Sequence, residues 1–235
     1  MPEESGFKGF STKTVAFFRD LASHNNRIWF ERNRDIYETQ VMGPAKAFVT
    51  AIGARLRSLA PQIVAVPKIN KSIFRINRDT RFSLDPSPYK TNLGIYFWDG
   101  MKPRMESSGF YFHLEPPDLM LGAGMYMFPD AMLERYRRAV VHPKQGKDLA
   151  AIIHSLSGVK GIELGGKHYK RVPAGYDPGH PNAQLLLHKG LYAGFESLIP
   201  EEFYSEALID YCFERFRLAA PLHQWIMGVV RRPPV

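Results

Sequence analysis

The sequence of 235 residues contains a single cysteine and no long apolar run. Cys212 has no partner within the chain, which excludes an intramolecular disulfide and fits a reducing compartment. No eighteen consecutive residues are apolar, which excludes a conventional membrane-spanning helix. The polar, acidic residues 1–6 lack the basic and apolar regions of a signal peptide. We therefore expect a soluble, cytoplasmic protein with no membrane partner.

Several motifs that identify common enzyme classes are also missing. The sequence has no Walker loop, no nucleophile elbow, no His-Glu-x-x-His and no paired cysteines, and Gly122-Ala-Gly124 lacks the third glycine of a dinucleotide fingerprint. No particular cofactor is indicated, and we predict no metal site. One alternative is a two-histidine, one-carboxylate set made by His113 and Glu115 with a distant His180 or His188.

The composition predicts one folded α+β domain. Aromatic residues make up 13% of the chain, enough to offset the entropy of folding by burial. We expect a disordered tail over residues 1–9 and a single domain over residues 10–230, in which N- and C-terminal helices wrap a central, mainly antiparallel sheet. The net charge of +8 favours anionic partners.

Hydrophobic periodicity predicts the order of the elements. Ser11 caps a first helix that ends at Asn25-Asn26, and a second helix from Ile28 ends at the Gly43-Pro44 break. The remaining predictions are a third helix to Pro61, strands at 92–98, 109–115 and 119–127, helices after Pro129, a hairpin over 162–169 turning at Gly165-Gly166, a long loop over 171–181, and two C-terminal helices over 201–217 and 221–230.

Residues 74–90, which we call the arginine loop, are the most informative segment. Between Lys68 and Arg104 there are eight Lys and Arg residues against three Asp, and aromatic residues interleave the charges of the loop. Grouped guanidinium groups repel one another unless an anion lies among them. We therefore predict an anion-binding site made by Arg75, Arg78, Asp79, Arg81, Tyr89, Lys90 and Thr91, with Lys170 or Arg171 closing it from the long loop. In the alternative, Arg78, Asp79 and Arg81 pair with one another and with Asp85.

A second candidate group lies on the predicted strand 109–115. Side chains alternate along a strand, so Tyr111, His113 and Glu115 share one face while Phe110, Phe112 and Leu114 share the other. Histidine exchanges protons near neutral pH, and a carboxylate nearby orients it. We predict that these three residues are catalytic, with His113 as the acid or base; the alternative is a solvated sheet face.

Five motifs occur in order along the chain and resemble one family. They are Phe74-Arg-Ile-Asn-Arg-Asp-Thr-Arg-Phe-Ser83, Pro88-Tyr-Lys-Thr-Asn92, Tyr111-Phe-His-Leu-Glu-Pro116, Gly122-Ala-Gly124 with Pro129, and Arg171-Val-Pro-Ala-Gly-Tyr-Asp177. The chain, over roughly residues 10–217, resembles the bacterial and fungal family catalogued as domain of unknown function 2461. It departs from the family pattern at Leu84, where a lysine is frequent. The resemblance implies that the arginine loop and the His113 strand belong to one recurring constellation, and it implies no reaction.

Three functions fit these observations. The first is a pocket for an anionic small molecule bearing phosphate or carboxylate, with His113 as the acid or base of an enzyme. The second is a nucleic-acid-binding module in which the same cations contact phosphates and Phe82, Tyr89 or Trp98 stacks on bases. The third is an interaction protein that docks an acidic partner. The first is our leading interpretation.

Overall fold

The computed structural model of the chain describes residues 6–81 and 83–231. The α-helices are α1 (Thr12–Ser23), α2 (Arg27–Arg32), α3 (Arg34–Ile36), α4 (Gly43–Leu56), α5 (Asp130–Val141), α6 (Pro143–Ser157) and α7 (Leu208–Arg231). The strands are β1 (Ile63–Val64), β2 (Leu93–Asp99), β3 (Gly109–Glu115), β4 (Asp118–Met125), β5 (Ile162–Lys167) and β6 (His188–Leu198). A π-helix spans Tyr37–Met42, and short 3-10 helices span Arg104–Glu106, Ala183–Leu187 and Glu201–Tyr204.

The architecture confirms the predicted α+β class. The strands form one six-stranded antiparallel sheet in the order β1-β2-β3-β4-β6-β5, with helices at both ends of the chain in a single domain. Within the domain the residues group into two compact units, which are described in turn. The first comprises Met1–Phe97, Tyr111–Leu121 and Glu196–Glu214, and the second comprises Trp98–Phe110, Gly122–Phe195 and Arg215–Val235.

The N-terminal helix begins where its capping residues predict. Ser11 and Thr14 form a reciprocal capping box, in which the Thr14 amide donates to Ser11 Oγ at 3.3 Å and the Ser11 amide donates to Thr14 Oγ1 at 3.3 Å. The next helix is capped in the same manner by Asn26, whose Oδ1 accepts from the Trp29 amide at 2.9 Å. Both caps satisfy amides that have no partner inside the helix.

The predicted break at Gly43-Pro44 is wrong, because the chain stays helical through it. A π-helical turn over Tyr37–Met42 leads directly into α4, and the Gly43 amide donates to the carbonyl of Glu38, five residues earlier. Pro44 has no N–H for the carbonyl of Gln40. That carbonyl accepts instead from Thr14 Oγ1 at 2.6 Å, so α1 supplies the hydrogen bond that proline removes.

The core of the first unit is aromatic, and it contradicts part of the expected N-terminal tail. Phe7 has no exposed surface, and its ring lies 5.5 Å from that of Phe10 and 5.4 Å from that of Phe48. Phe10 stacks on Phe203 at 4.9 Å. The ordered part of the chain therefore begins before residue 10; residues 1–5 lie outside the described residues.

In the second unit, α5 and α6 confirm the helices predicted after Pro129, and Tyr136 ties α5 to the 3-10 helix before β6. The fully buried ring of Tyr136 lies 4.7 Å from that of Phe128, and its hydroxyl donates to the carbonyl of Leu185 at 2.9 Å. Burial raises the pKa of Tyr136 well above its usual value. This hydrogen bond satisfies the buried phenol.

The hairpin predicted over residues 162–169 is wrong. Residues 162–167 are one strand, β5, which pairs antiparallel with β6, and Ile162 lies opposite Phe195. Gly165-Gly166 forms an irregularity in this ladder rather than a turn. Gly166 has a φ of 97°, and a Cβ there would lie 2.2 Å from the carbonyl oxygen of Gly190, so both the bend and the close approach require glycine.

The two predicted C-terminal helices are largely one. Residues 201–204 form a separate 3-10 turn, but α7 continues from Leu208 to Arg231 with Pro221 inside it. Pro221 cannot donate to the carbonyl four residues earlier. Apolar residues on both sides of it, Ala219, Ala220 and Leu222, are at least 97% buried, and this burial holds the helix together across the missing bond.

Candidate functional site

A chain of hydrogen bonds links four polar side chains of the first unit, which we call the strand site: Thr91, Tyr111, His113 and Glu115. The Tyr111 hydroxyl lies 2.9 Å from His113 Nδ1, and His113 Nε2 lies 3.3 Å from Glu115 Oε2. Thr91 Oγ1 donates to Glu115 Oε1 at 2.9 Å. The structure thus brings together the three residues predicted on the strand and one residue predicted next to the arginine loop.

Strand alternation positions this group. On β3, Phe110, Phe112 and Leu114 have no exposed surface. The side chain of His113, which points to the other face, is 21% exposed, and that of Glu115 is 51% exposed. The buried face holds the strand in register, so the opposite face presents the polar side chains at fixed spacing.

Tyr111 is enclosed by aromatic neighbours. Its ring lies edge-on to Phe74 at 6.1 Å and near Tyr96 at 6.4 Å. The neighbouring strand contributes Gly94, where a Cβ would lie 2.9 Å from the Tyr111 hydroxyl, so glycine makes room for that hydroxyl. Burial, with a smaller contribution from the charge of Glu115, raises the pKa of Tyr111 to about 12.

For a neutral imidazole beside an ionised Glu115, the geometry gives one assignment of the protons in the strand site. A carboxylate only accepts hydrogen bonds, so His113 Nε2 donates to Glu115 and Nδ1 is left to accept from the Tyr111 hydroxyl. A histidine held in one tautomer by a carboxylate, with a hydroxyl on its other nitrogen, is the arrangement that activates hydroxyl groups in acid–base catalysis. The strand site has the same order of groups, hydroxyl to imidazole to carboxylate.

The arginine loop pairs most of its charges internally. Arg78 forms an ion pair with Asp85. Arg81 binds Asp79 in bidentate fashion, Nε to Oδ1 at 2.9 Å and Nη2 to Oδ2 at 2.7 Å. Hydrogen bonds from Arg81 hold the pKa of Asp79 at about 2, and hydrogen bonds from Ser87 and Arg78 lower the pKa of Asp85. These pairs are the alternative that the sequence left open, and they engage Arg78 and Arg81 with carboxylates of the loop itself.

Lys90 lies against an aromatic ring that also contacts the strand site. The loop is closed by hydrogen bonds from the Arg78 amide to the Pro88 carbonyl at 2.9 Å and from the Lys90 amide to the Ile76 carbonyl at 2.8 Å. Lys90 Nζ lies 5.4 Å from the centre of the Phe74 ring, the ring that contacts Tyr111. The Lys90 ammonium and the Tyr111 ring therefore both contact the ring of Phe74.

The remaining predicted residues lie elsewhere. Arg75 and Tyr89 line a cleft beside the helices of the first unit. The Tyr89 ring is 5% exposed and stacks on Phe30 at 4.2 Å. Arg171 belongs to the second unit, where it is exposed in the loop between β5 and the 3-10 helix Ala183–Leu187. Phe82 lies outside the described residues.

The sequence interpretation missed the helix side of that cleft, which contains Arg27, Glu31, Arg34, Tyr37 and Glu38. The signal present in the sequence was the spacing of these residues by three and four, which places them on one helical face. The charges alone resemble an ordinary solvated helix. The cleft forms because residues 69–77 and Tyr89, more than thirty positions away in the sequence, lie opposite this helical face.

Two classes of site find no support in the part of the chain that the structure describes. There, no three His, Cys, Asp or Glu side chains form a group that could hold a metal ion, so the set with His113, Glu115 and a distant histidine has no third ligand. None of the helices over residues 6–81 and 83–231 has the length and apolar character needed to cross a bilayer.

Comparison with known proteins agrees with the resemblance read from the motifs. The family model described as "Conserved hypothetical protein (DUF2461)" matches residues 13–225, which is most of the chain and includes the strand site and the arginine loop. No curated protein matches the sequence.

Proposed function

The chain belongs to the DUF2461 family, and we propose that it binds an anionic small molecule at the strand site and transfers protons to or from it through Tyr111, His113 and Glu115. The observation that supports this function best is the continuous hydrogen-bonded relay, with Tyr111 to His113 at 2.9 Å and His113 to Glu115 at 3.3 Å. A solvated sheet face needs no such ordered chain of side chains.

The relay assigns a role to each group. Tyr111 takes a proton from the bound molecule as its own hydroxyl proton moves to His113 Nδ1, so the net transfer is from the ligand to the imidazole. Glu115 stabilises the imidazolium through Nε2, and Thr91 holds the carboxylate in place. In the reverse direction the same groups donate a proton. The ammonium of Lys90 attracts a phosphate or carboxylate of the ligand.

The experiment is a screen for turnover and binding with matched variants. Pools of phosphate esters and carboxylates are incubated with the protein, conversion is followed by NMR, and binding is followed by thermal shift, since a ligand at a hundred times its Kd stabilises by about 2.7 kcal/mol. We expect Tyr111→Phe and His113→Gln to abolish turnover, while Lys90→Gln weakens binding. The control is His154→Gln, an exposed histidine on α6.

Two results would count against the proposed function. The first is turnover in His113→Gln equal to that of the wild type and of His154→Gln. The second is a folded wild-type protein that converts and binds none of the anionic compounds.

The other two functions have less support. Nucleic-acid binding loses Tyr89 as a stacking surface, because its ring is buried against Phe30. Docking of an acidic partner is disfavoured by the ion pairs that already occupy Arg78 and Arg81. A cytoplasmic location remains part of the proposal, since the one cysteine of the sequence, Cys212, is buried and forms no disulfide.

A further inference from the structure

A cleft of about 400 Å³ lies in the first unit, separate from the four residues of the strand site, and we call it the helix cleft. One wall is a single face of the consecutive helical turns from α2 to the π-helix. The other wall comes from residues 69–77 and from Tyr89. Its lining residues are Arg27, Phe30, Glu31, Arg34, Tyr37, Glu38, Ile69, Arg75, Ile76, Asn77 and Tyr89. The volume lies within the range of small-molecule sites.

The floor of the helix cleft is aromatic, buried and incompletely hydrogen-bonded. Tyr37 and Tyr89 are each only 5% exposed, and both pack on Phe30, with ring centres 5.3 Å and 4.2 Å away. Neither phenol hydroxyl makes a hydrogen bond within residues 6–81 and 83–231. Neither oxygen is among the buried polar atoms that lack a partner in the described residues, so both hydroxyls reach the open space of the cleft, where each can bond to a ligand.

Three arginines line the helix cleft, and they differ in whether a carboxylate binds their guanidinium group. Arg34 is held by Glu31, with Nε to Oε2 at 2.9 Å and Nη2 to Oε1 at 2.6 Å. Arg27 and Arg75 make no ion pair or side-chain hydrogen bond with any described residue. Arginine presents a planar fork of donors that matches the oxygen atoms of carboxylate and phosphate. Two such forks and two phenol hydroxyls thus line the same cleft.

We propose that the helix cleft is a binding site for a small organic oxyanion, whose phosphate or carboxylate group is bound by Arg27 and Arg75 and hydrogen-bonded by Tyr37 and Tyr89. The apolar part of the ligand packs on Ile69 and Ile76, of which Ile69 is 42% exposed and Ile76 is 7% exposed. This site uses none of the four residues of the strand site and does not depend on the proposed relay.

Calorimetric titration with phenyl phosphate, and separately with benzoate, tests this site. Arg27→Gln and Arg75→Gln should each weaken binding of the preferred probe by about tenfold or more, because each removes a charge-assisted hydrogen bond. Tyr89→Phe keeps the ring on Phe30 and should weaken binding several-fold without lowering the Tm of the free protein. The matched control is Arg32→Gln, an exposed α2 arginine outside the cleft, which should bind as the wild type does.

The inference is overturned if the wild type binds neither probe at about 10 mM. It is also overturned if Arg32→Gln loses as much affinity as Arg75→Gln, which would indicate attraction by net charge alone. Loss of binding in Lys90→Gln or His113→Gln, with Arg27→Gln and Arg75→Gln unaffected, would place the anion at the strand site. That last result would support the proposed function and reject the helix cleft as a site.

Discussion

Replacing adjacent residues of β3 separates the structural face of this strand from its chemical face. Phe112 has no exposed surface, and its ring lies 4.8 Å from Phe48 and 6.0 Å from Phe10. Phe112→Ala removes a ring from a packed aromatic cluster and leaves a cavity. We expect it to lower the free energy of unfolding by about 3–5 kcal/mol.

His113→Ala should cost much less. The imidazole is 21% exposed, so it contributes only part of its surface to burial, and its removal leaves no closed cavity. It does deprive the Tyr111 hydroxyl of its acceptor at 2.9 Å, which is worth about 1 kcal/mol. With the lost burial, we expect a decrease of about 1–2 kcal/mol in the free energy of unfolding.

Urea unfolding of the wild type and both variants measures these values. Circular dichroism and tryptophan fluorescence should give coincident transitions, which justifies a single free energy for each protein. The reasoning is refuted if His113→Ala is as destabilising as Phe112→Ala, because the histidine would then be a packing residue. Equal and negligible effects of both changes would refute the packing of β3 itself.

Three further predictions concern buried groups. Gly94→Ala should weaken the relay and lower stability by about 1–3 kcal/mol, because its Cβ displaces the Tyr111 hydroxyl; an unchanged Tm would contradict this. Burial lowers the pKa of His223 to about 4. Because His223 takes up a proton only in the unfolded form between about pH 6.5 and 4, it should lower stability by about 3 kcal/mol as the pH falls through that window, and His223→Gln should reduce the slope in urea titrations; the lowered pKa of His188 leaves a remainder. Cys212, which is fully buried, should react with a thiol reagent only on unfolding; rapid labelling of the native protein would show that it is accessible.

Local periodicity was sufficient to predict the strand that carries the site. The alternation of β3 identifies which side chains share a face, and its bounds, Gly109–Glu115, agree with the structure. The bond from Thr91 to Glu115 was beyond the same reasoning, because it joins residues 24 positions apart whose distance depends on how β2 and the arginine loop approach β3.

The helix breakers show where local rules fail. Gly43-Pro44 predicts the end of a helix because proline removes a backbone hydrogen bond. The Gln40 carbonyl that would be left unpaired accepts instead from the Thr14 hydroxyl of another helix. Pro221 reads as a second break, but burial of α7 on both sides of it outweighs the missing bond. Tertiary contacts decide both cases, and they are not encoded within a window of neighbouring residues.

The arginine loop shows the same limit for side chains. Its composition predicts a concentration of charge, but it does not predict whether Arg78 and Arg81 bind a ligand or the loop's own carboxylates. Arg75 belongs with Arg27, and this pairing follows only from the packing of residues 69–77 against the helices. The sequence interpretation placed Arg75 and Tyr89 in one site with Thr91, whereas in the structure Arg75 and Tyr89 line the helix cleft and Thr91 bonds to Glu115.

The proposal that Tyr111, His113 and Glu115 act as one proton relay is tested most directly by the nitrogen NMR signals of His113. At about pH 9, where imidazole groups are neutral, the relay predicts the proton on Nε2 and a hydrogen-bonded Nδ1 acceptor. In Tyr111→Phe the Nδ1 signal should move to the position of a free acceptor, while the signals of His154 stay unchanged. A proton on Nδ1, or an Nδ1 signal that does not respond to Tyr111→Phe, would contradict the relay.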